Sequence, residues 1–568
     1  MPYLTAPALP LIIMLGAVLR FAGIGSQSYW FDEAVTVRLV DGSLGNLLHG
    51  IPHSESTPPL YYLAAWAWSN LFGTSEAALR SLSACFGTAL VAVVWAIARA
   101  LGGKRSAIAA AIVVAVNPTL VWFSQEARAY SLLALLGALG FWAFMVALRE
   151  PSKRSLALWA LCGAASLSTH YFAVFVLAAE ATYLLWKLPG RRAAVAVASA
   201  VPVATGLALL PLALGQEADG RTSWIAAGPL GDRLWEVVRE LGTGGSALVT
   251  ANPPHPGGLL WVGGLPGTLL AAYGLARLPS GRARTGAMLA LSVGAAGVLL
   301  PLVLTVSPAD FFFDRNLLAA WPMILLALGA GACAPILGRA GPVALASIAI
   351  AGIGTTILVA TDADRQRDNW RGLVRSIGPR TVPRAIVVRP AFAQAPLAVY
   401  GHPVEALRPG TGVREIVVIG EGVAAETPVR RLGAYRLAGT KREGRVGILR
   451  YRAPDLQRLS ESDLAAAREQ VLYEPSNAAR AWVAQGLNLL VDMRAAVGSD
   501  SHQPDLHRLR QLVAEARALP TTPAELPDGQ AARNRLDAIA AALEEVVAQP
   551  TLRHRAEAQR LLGIAPSK

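Results

Sequence analysis

Between residues 8 and 360 the chain returns again and again to apolar runs close to the length of a bilayer-spanning helix, and nothing else in it limits the possible folds as severely. A hydrocarbon core of roughly 30 Å takes about 20 apolar residues of helix. Runs of about that length fall near 8–24, 81–100, 106–122, 129–148, 156–170, 171–186, 193–214, 258–276, 286–306, 316–336 and 342–360, about eleven in all. With 54% hydrophobic and only 16% charged residues in 568, the chain holds more apolar surface than one soluble core can use. The expectation is an α-helical polytopic membrane protein with about 11 transmembrane helices. The first run, Ala8 to Ala22, has no basic stretch before it and no small-residue cleavage site after it, which predicts a retained helix.

The connections set orientation. Lys104-Arg105, Arg149 with Lys153-Arg154, Lys187 with Arg191-Arg192, Arg277 with Arg282 and Arg284, and Arg339 lie in alternate connections. The intervening connections carry Asp32, Glu33, Asp41, Glu55, Glu76, Glu126, Glu217, Asp219, Asp310 and Asp314. The positive-inside rule then places the N-terminus in the cytoplasm and everything after about residue 360 outside. The same loops are expected to hold most of the net charge of +13, so that nucleic-acid binding is not expected. Cys85, Cys162 and Cys333 all fall in predicted spans, leaving no external disulfide framework or thiolate metal site.

Two external connections are long. The segment 25–80 holds the acidic pair Asp32-Glu33, then His53-Ser-Glu-Ser-Thr-Pro-Pro-Leu-Tyr-Tyr62, then an apolar stretch through Trp66 and Trp68; the segment 215–257 holds Trp224 and the stripe Leu230, Leu234, Val237, Val238, Leu241. Both predict helices lying in the membrane interface. Beyond the transmembrane module of 1–360, the short runs Arg384–Arg389, Leu397–Tyr400, Glu415–Ile419 and Val446–Tyr451 predict strands of a small α/β domain over 361–456. Residues 457–568 are rich in Ala, Leu, Arg and Glu at helical spacing, with breaks at Pro475, Pro504, Pro520, Pro523, Pro527 and Pro550, and predict a helical domain.

Asp32, Glu33, Glu126, His170, Asp314 and Arg315 all fall at the external ends of predicted spans, far apart in sequence and level in the membrane. A bundle would gather these loops over one cavity, where carboxylates, an imidazole and guanidiniums can activate a hydroxyl and bind an anionic leaving group.

At these residues the chain resembles the GT-C glycosyltransferases, and most closely the polyprenyl-phosphate-sugar enzymes of the protein-mannosyltransferase and aminoarabinose-transferase kind. The matching features are the Asp-Glu pair in the first external loop, Pro58-Pro-Leu-Tyr-Tyr62 followed by Phe72-Gly73 and Ala78-Leu-Arg80, and Ser124-Gln-Glu-Ala-Arg-Ala-Tyr130. Asp314-Arg315 with Trp321-Pro322, and Asn369-Trp-Arg371, continue the likeness, which covers roughly 1–375. The resemblance implies a hexosyl- or pentosyltransferase that moves sugar with inversion from a polyprenyl-phosphate donor to a hydroxyl on a glycan, lipid or protein. Asp32 would then be the base and Glu33 its support or an acceptor-orienting group. Glu126 would be a second acceptor-side carboxylate or, with His170, a ligand of a divalent cation. Arg128 and Arg315 are the expected phosphate binders, since a guanidinium fork suits phosphate oxygens. Tyr61, Tyr62 and Tyr130 either hydrogen-bond the donor or belong to an interfacial belt. The chain departs from some relatives in having Thr57 where they have Lys and Asn316 where they have Tyr, which affects the sugar and donor details more than the reaction class.

Glu180, about ten residues into the sixth span, lies roughly 15 Å deep and is expected to make an inter-helix hydrogen bond, with a proton path as the alternative. Two further classes stand beside the transferase: a transporter or lipid flippase, which calls for paired repeats and broken helices that the sequence does not display, and a membrane-anchored binding protein. The α/β segment has no Gly-rich phosphate loop between strand and helix. The short basic loops suit a bacterial inner membrane.

Overall fold

The computed structural model describes residues 8–562 apart from 219–221, 223–224, 227–228, 244–256, 308–309, 363–364, 390–393, 402–409, 422–429, 444–445, 461–462, 465–466, 468–488, 491, 498–503 and 520–528. The chain forms two compact units, one of residues 1–27 and 32–367, the other of Ser28–Phe31 and 368–568.

The first unit is all helical. Its helices are α1 (Ala8–Phe21), α2 (Phe31–Val40, from Asp32 onward), α3 (Leu44–Ser54), α4 (Leu60–Phe72), α5 (Glu76–Val116), α6 (Pro118–Ser124), α7 (Tyr130–Arg149), α8 (Lys153–Thr169), α9 (Ala173–Lys187), α10 (Arg192–Ala218), α11 (Leu230–Thr243), α12 (Gly257–Ala276), α13 (Arg282–Leu304), α14 (Trp321–Ala332) and α15 (Ala340–Thr361). Among the described residues, α5, α7, α10 with its preceding turn, α13 and α15 are long and apolar enough to cross a membrane, and α1, 264–276 of α12, and α14 are shorter apolar helices. The protein is thus a multi-pass membrane protein. The runs expected at 81–100 and 106–122 are joined in α5, which bends at Gly103, where φ of 77° is open to a glycine at little steric cost. The second of those runs then breaks at Asn117, whose side chain accepts from the Leu120 N–H and caps α6. Trp224 of the expected interfacial segment lies outside the described residues.

Small residues let these helices meet closely. A Cβ added at Gly331 would sit 2.8 Å from the Leu275 Cβ, and one at Gly297 would sit 2.8 Å from both Ala320 and Val176 side chains. Where hydrophobic contrast with lipid is absent, such close contact and its dispersion attraction hold helices together. Two polar contacts join them in the interior. Arg20 donates to the carbonyls of Val114, at 3.1 Å, and Ala115, at 2.8 Å. Val114 needs that donor, because Pro118 has no N–H to give it. Glu180 accepts from the Trp159 indole N–H at 2.8 Å, the inter-helix bond expected of it.

The second unit holds α16 (Trp370–Ile377), α17 (Gln394–Val399), a five-stranded sheet and the helices α18 (Leu506–Arg517), α19 (Gly529–Ala548) and α20 (Leu552–Leu561). The strands are β1 (Arg384–Arg389), β2 (Gly412–Glu421), β3 (Arg431–Leu432), β4 (Tyr435–Glu443) and β5 (Val446–Arg458), in the order β1-β2-β5-β4-β3. Only β1 and β2 are parallel. One sheet face packs on α16 and α17 through Trp370, Leu373, Ile377 and Leu397. The other face covers a core of Ile416, Val418, Tyr435, Leu449 and Tyr451. The strand expected at Leu397–Tyr400 is a correction: that run finishes α17, whose first turn tolerates Pro396. The strand β4 carries Arg436, Gly439, Lys441 and Arg442, and so lacks the apolar alternation that marks a strand in sequence. Pro475, Pro520, Pro523 and Pro527 of the expected helical breaks lie outside the described residues.

Charge is distributed over the two units differently from expectation. The acids of the remaining loops offset much of the basic-loop surplus within 1–367, whereas 368–456 alone has fifteen Lys and Arg against seven Asp and Glu.

Candidate functional site

In the first unit, one end of the bundle gathers polar groups from eight places in the sequence. The first turn of α2 supplies Asp32 and Glu33. The turn after α3 supplies Glu55, α4 supplies Tyr61 and Tyr62, and α5 supplies Arg80. The short connection between α6 and α7 holds Glu126 and Arg128, folded so tightly that the Arg128 N–H donates to the Glu126 carbonyl at 2.8 Å. His170 closes α8, Asp314 and Arg315 form a turn of 3-10 helix over Asp314–Leu317, and Arg367 follows α15.

The two adjacent carboxylates of α2 have different surroundings. Glu33 is wholly buried. Arg80 grips it with Nε on Oε1 at 2.7 Å and Nη2 on Oε2 at 2.6 Å, and the Ala127 N–H donates to Oε1 at 2.8 Å. Arg80 also donates to the carbonyls of Ile24 and Gln27, tying α2 to the end of α1. Burial alone would raise the Glu33 carboxyl, but Arg80, helped by Arg367 and the Ala127 N–H, holds it below the usual carboxylate range. Asp32 makes no such pair. Its Oδ2 lies 3.6 Å from Arg315 Nη1 and 4.0 Å from Arg128 Nη2, beyond hydrogen-bond reach, and the side chain is 17% exposed.

The two guanidiniums beside Asp32 also differ. Arg128 is bound by Glu55, with Nη1 at 2.8 and 2.6 Å from its two oxygens, and Glu55 takes a further bond from the Tyr62 hydroxyl at 2.6 Å. Burial nevertheless keeps the Glu55 carboxyl above its ordinary value. Tyr62 exchanges another bond with Thr57 at 2.8 Å, and Tyr61 one with Ser83 at 3.1 Å. Both tyrosines are thus packed inside the protein, where burial pushes their hydroxyls above the usual phenol value. Arg315 retains 20% exposure and stands 6.0 Å from the Tyr130 ring centre and 5.4 Å from that of Phe313. Of the two expected phosphate binders, Arg315 is the more exposed, 20% against 7% for Arg128.

Glu126 is buried against Arg367, whose Nη2 donates to Oε2 at 3.2 Å, while Oε1 has no hydrogen-bond partner among the described residues. Burial lifts its carboxyl to about 7; Arg367 opposes the rise, and Glu33 and Asp32 add to it. Arg367 is held over the Trp122 ring, 4.0 Å from its centre. His170 accepts the Phe172 N–H on Nδ1 at 3.3 Å and has its ring centre 6.2 Å from that of Tyr130. Glu126 and His170 do not fit a divalent cation as its ligands: the first is paired with a guanidinium, and no group of three or more His, Cys, Asp or Glu suited to an ion occurs among the described residues. No step is therefore assigned to a metal.

Asp32, Arg128, Arg315 and Tyr130 come together as the sequence predicts, with Glu126 and His170 behind them. Glu33, Tyr61 and Tyr62 belong instead to the buried frame. Glu55, Arg80 and Arg367 complete that frame, and nothing in the local pattern singles out Glu55 or Arg367 as partners. Arg80 had a signal in the Ala78-Leu-Arg80 match.

Residues 56–214 match the family model for dolichyl-phosphate-mannose-protein mannosyltransferase, a stretch that takes in Tyr61, Tyr62, Arg80, Glu126, Arg128, Tyr130 and His170. Among solved structures, the chain is similar to ArnT from Cupriavidus metallidurans bound to undecaprenyl phosphate, at 12% identity over 78% of this chain and 98% of that one, with a TM-score of 0.48. It is also similar to the archaeal oligosaccharyltransferase AglB from Archaeoglobus fulgidus in complex with an inhibitory peptide and a dolichol-phosphate, at 14% identity over 75% and 70%, with a TM-score of 0.44. The Pmt1-Pmt2 protein O-mannosyltransferase complex of S. cerevisiae bound to the sugar donor matches at 16% identity over 38% and 33%, with a TM-score of 0.28. No curated protein sequence matches the chain. The class that this chain resembles is the GT-C superfamily of membrane glycosyltransferases. Within it, the particular likeness over 56–214 is to the mannosyltransferase family just described.

Proposed function

We propose that the protein is an inverting glycosyltransferase that moves a hexose or pentose from a polyprenyl-phosphate donor to a hydroxyl of a glycan, lipid or protein. It acts at the outer face of a bacterial inner membrane, with the N-terminus in the cytoplasm and 361–568 outside. The observation that carries this reading is Asp32. Of the five carboxylates gathered at the bundle end, Glu33, Glu55 and Glu126 are each hydrogen-bonded to a guanidinium; of Asp32 and Asp314, which are not, Asp314 is buried and Asp32 keeps 17% exposure between Arg128 and Arg315.

In the reaction, the acceptor oxygen forms its bond to the anomeric carbon on the face opposite the lipid phosphate, and its proton passes to Asp32. The bond from carbon to the phosphate oxygen breaks, and the electron pair leaves with the phosphate. Arg315 meets the departing charge as a fixed donor, and Arg128, held by Glu55, adds its field from behind. The test is turnover by the purified protein in nanodiscs against a panel of radiolabelled polyprenyl-phosphate sugars. The wild type consumes one donor, and Asp32→Asn lowers its turnover by about 10²-fold or more while leaving the fold intact. Substantial transfer by that variant would remove Asp32 from the role of base.

A further inference from the structure

Part of the basic surplus of 368–456, Arg384, Arg436, Lys441, Arg450 and Arg452, gathers at one corner of the sheet in the second unit. Glu415 on β2 is fully buried and is shared by three guanidiniums: Arg384 Nε, Arg450 Nη1 at 3.2 Å and Arg452 Nε at 3.0 Å. Arg384 is otherwise used by the carbonyls of Ile377, Gly378 and Pro379, and Arg450 by those of Ser376 and Ile377. These two guanidiniums satisfy the end of α16, where the last carbonyls have no helical donor. Arg452 has no such carbonyl role, and its side chain is 56% exposed.

Directly opposite Arg452 in the antiparallel β4–β5 pair stands Arg436, also exposed. Residues in that register share a face about 5 Å apart, where like charges repel. Glu415 accepts from three guanidiniums, those of Arg384, Arg450 and Arg452, and Arg436 is not among them. Next along the same face, Gly439 opposes Arg450 beside an irregularity in the pairing, and a Cβ added there would meet nothing within 4 Å. Lys441 follows, on the same side, with its ammonium 2.6 Å from the Ser376 hydroxyl. Bare backbone flanked by cations on three sides is therefore open to solvent.

We propose that this corner is a binding site for a phosphoryl group, held by Arg436 and Arg452 with Arg450 behind, over the open backbone at Gly439. A carboxylate takes its donors near one plane, whereas a phosphoryl group has oxygens in several directions and suits guanidiniums arriving from two strands. The site lies wholly within the second unit and does not depend on the transfer reaction. The phosphoryl group comes either from a saccharide chain or from a lipid headgroup.

The test uses the full-length protein in nanodiscs of neutral lipid, titrated at constant ionic strength with inorganic phosphate and with glucose 6-phosphate. Wild type binds, and Arg436→Gln/Arg452→Gln weakens binding about tenfold or more. Gly439→Val, which fills the notch and leaves every charge in place, weakens it as well. Tighter binding of glucose 6-phosphate than of inorganic phosphate assigns the group to a saccharide, and competition by phosphatidylglycerol in the nanodisc assigns it to a headgroup. Absence of binding by the wild type, or a signal of equal strength in both variants, overturns the proposal. Unchanged thermal unfolding of the double variant establishes that its fold is intact.

Discussion

Exchanging Glu33 for Gln and exchanging Asp32 for Asn alter neighbouring side chains of one helical turn, and the structure predicts opposite consequences. Glu33 accepts two charge-assisted bonds from Arg80, at 2.6 and 2.7 Å, and one from the Ala127 N–H, all out of contact with solvent. Glu33→Gln removes the negative charge and sets an NH2 against a guanidinium donor, so Arg80 and Arg367 remain buried with one counter-charge fewer. Removing one partner of a buried pair costs about 3–5 kcal/mol, against a total stability for an ordinary domain of about 5–15 kcal/mol. Unfolding followed by tryptophan fluorescence in detergent should then fall on the order of 5–10 °C. Asp32 has no hydrogen-bonded cation to abandon, so Asp32→Asn should leave the transition within a degree or two, roughly the effect of an exposed substitution, while turnover is lost. A Glu33→Gln protein that melts like wild type yet fails to turn over would refute the division, and would mean that Glu33 takes part in the chemistry.

Burial holds the Glu126 carboxyl at about 7, above its unfolded value of 4.5. A raised carboxyl contributes stability that is fully present below 4.5 and lost as pH climbs through about 7, so between those limits the wild type should lose stability relative to Glu126→Gln. Melting curves of the two proteins across that range read the difference directly; parallel curves would contradict it. Tyr62→Phe takes away the bonds to Glu55 and Thr57 and should cost about 1–3 kcal/mol, measurable as a lowered melting temperature. Gly331→Ala forces a methyl against Ala271 and Leu275 and should cost about 1–3 kcal/mol by overpacking; an unchanged transition would mean that α12 and α14 move apart freely.

Much of this is readable in the chain because membrane helices and charged loop ends carry strong local signals. The positions of Asp32, Arg128 and Arg315 follow from where apolar runs stop. What each residue does is another matter, because that depends on partners distant in sequence. Arg128 is paired with Glu55, 73 positions away, and Glu126 with Arg367, 241 positions away. No periodicity records such a pairing, so Glu33 and Asp32, equivalent in sequence, separate only when Arg80 is seen to occupy one of them. The strand β4 was hidden for a related reason: its outward face is spent on cations, and its identity as a strand comes from pairing with β5.

Arg20 has a consequence for how the protein is made. It sits in α1, which is synthesised before α5, and two of the carbonyls it binds, those of Val114 and Ala115, belong to α5. At about 5–20 residues per second of synthesis, those carbonyls follow some 5–20 s later. During that interval a charged side chain in a nascent helix can use only the Gly16 carbonyl, water and headgroups. The final hydrogen bonding of α1 is therefore completed only once α5 has been synthesised and inserted beside it.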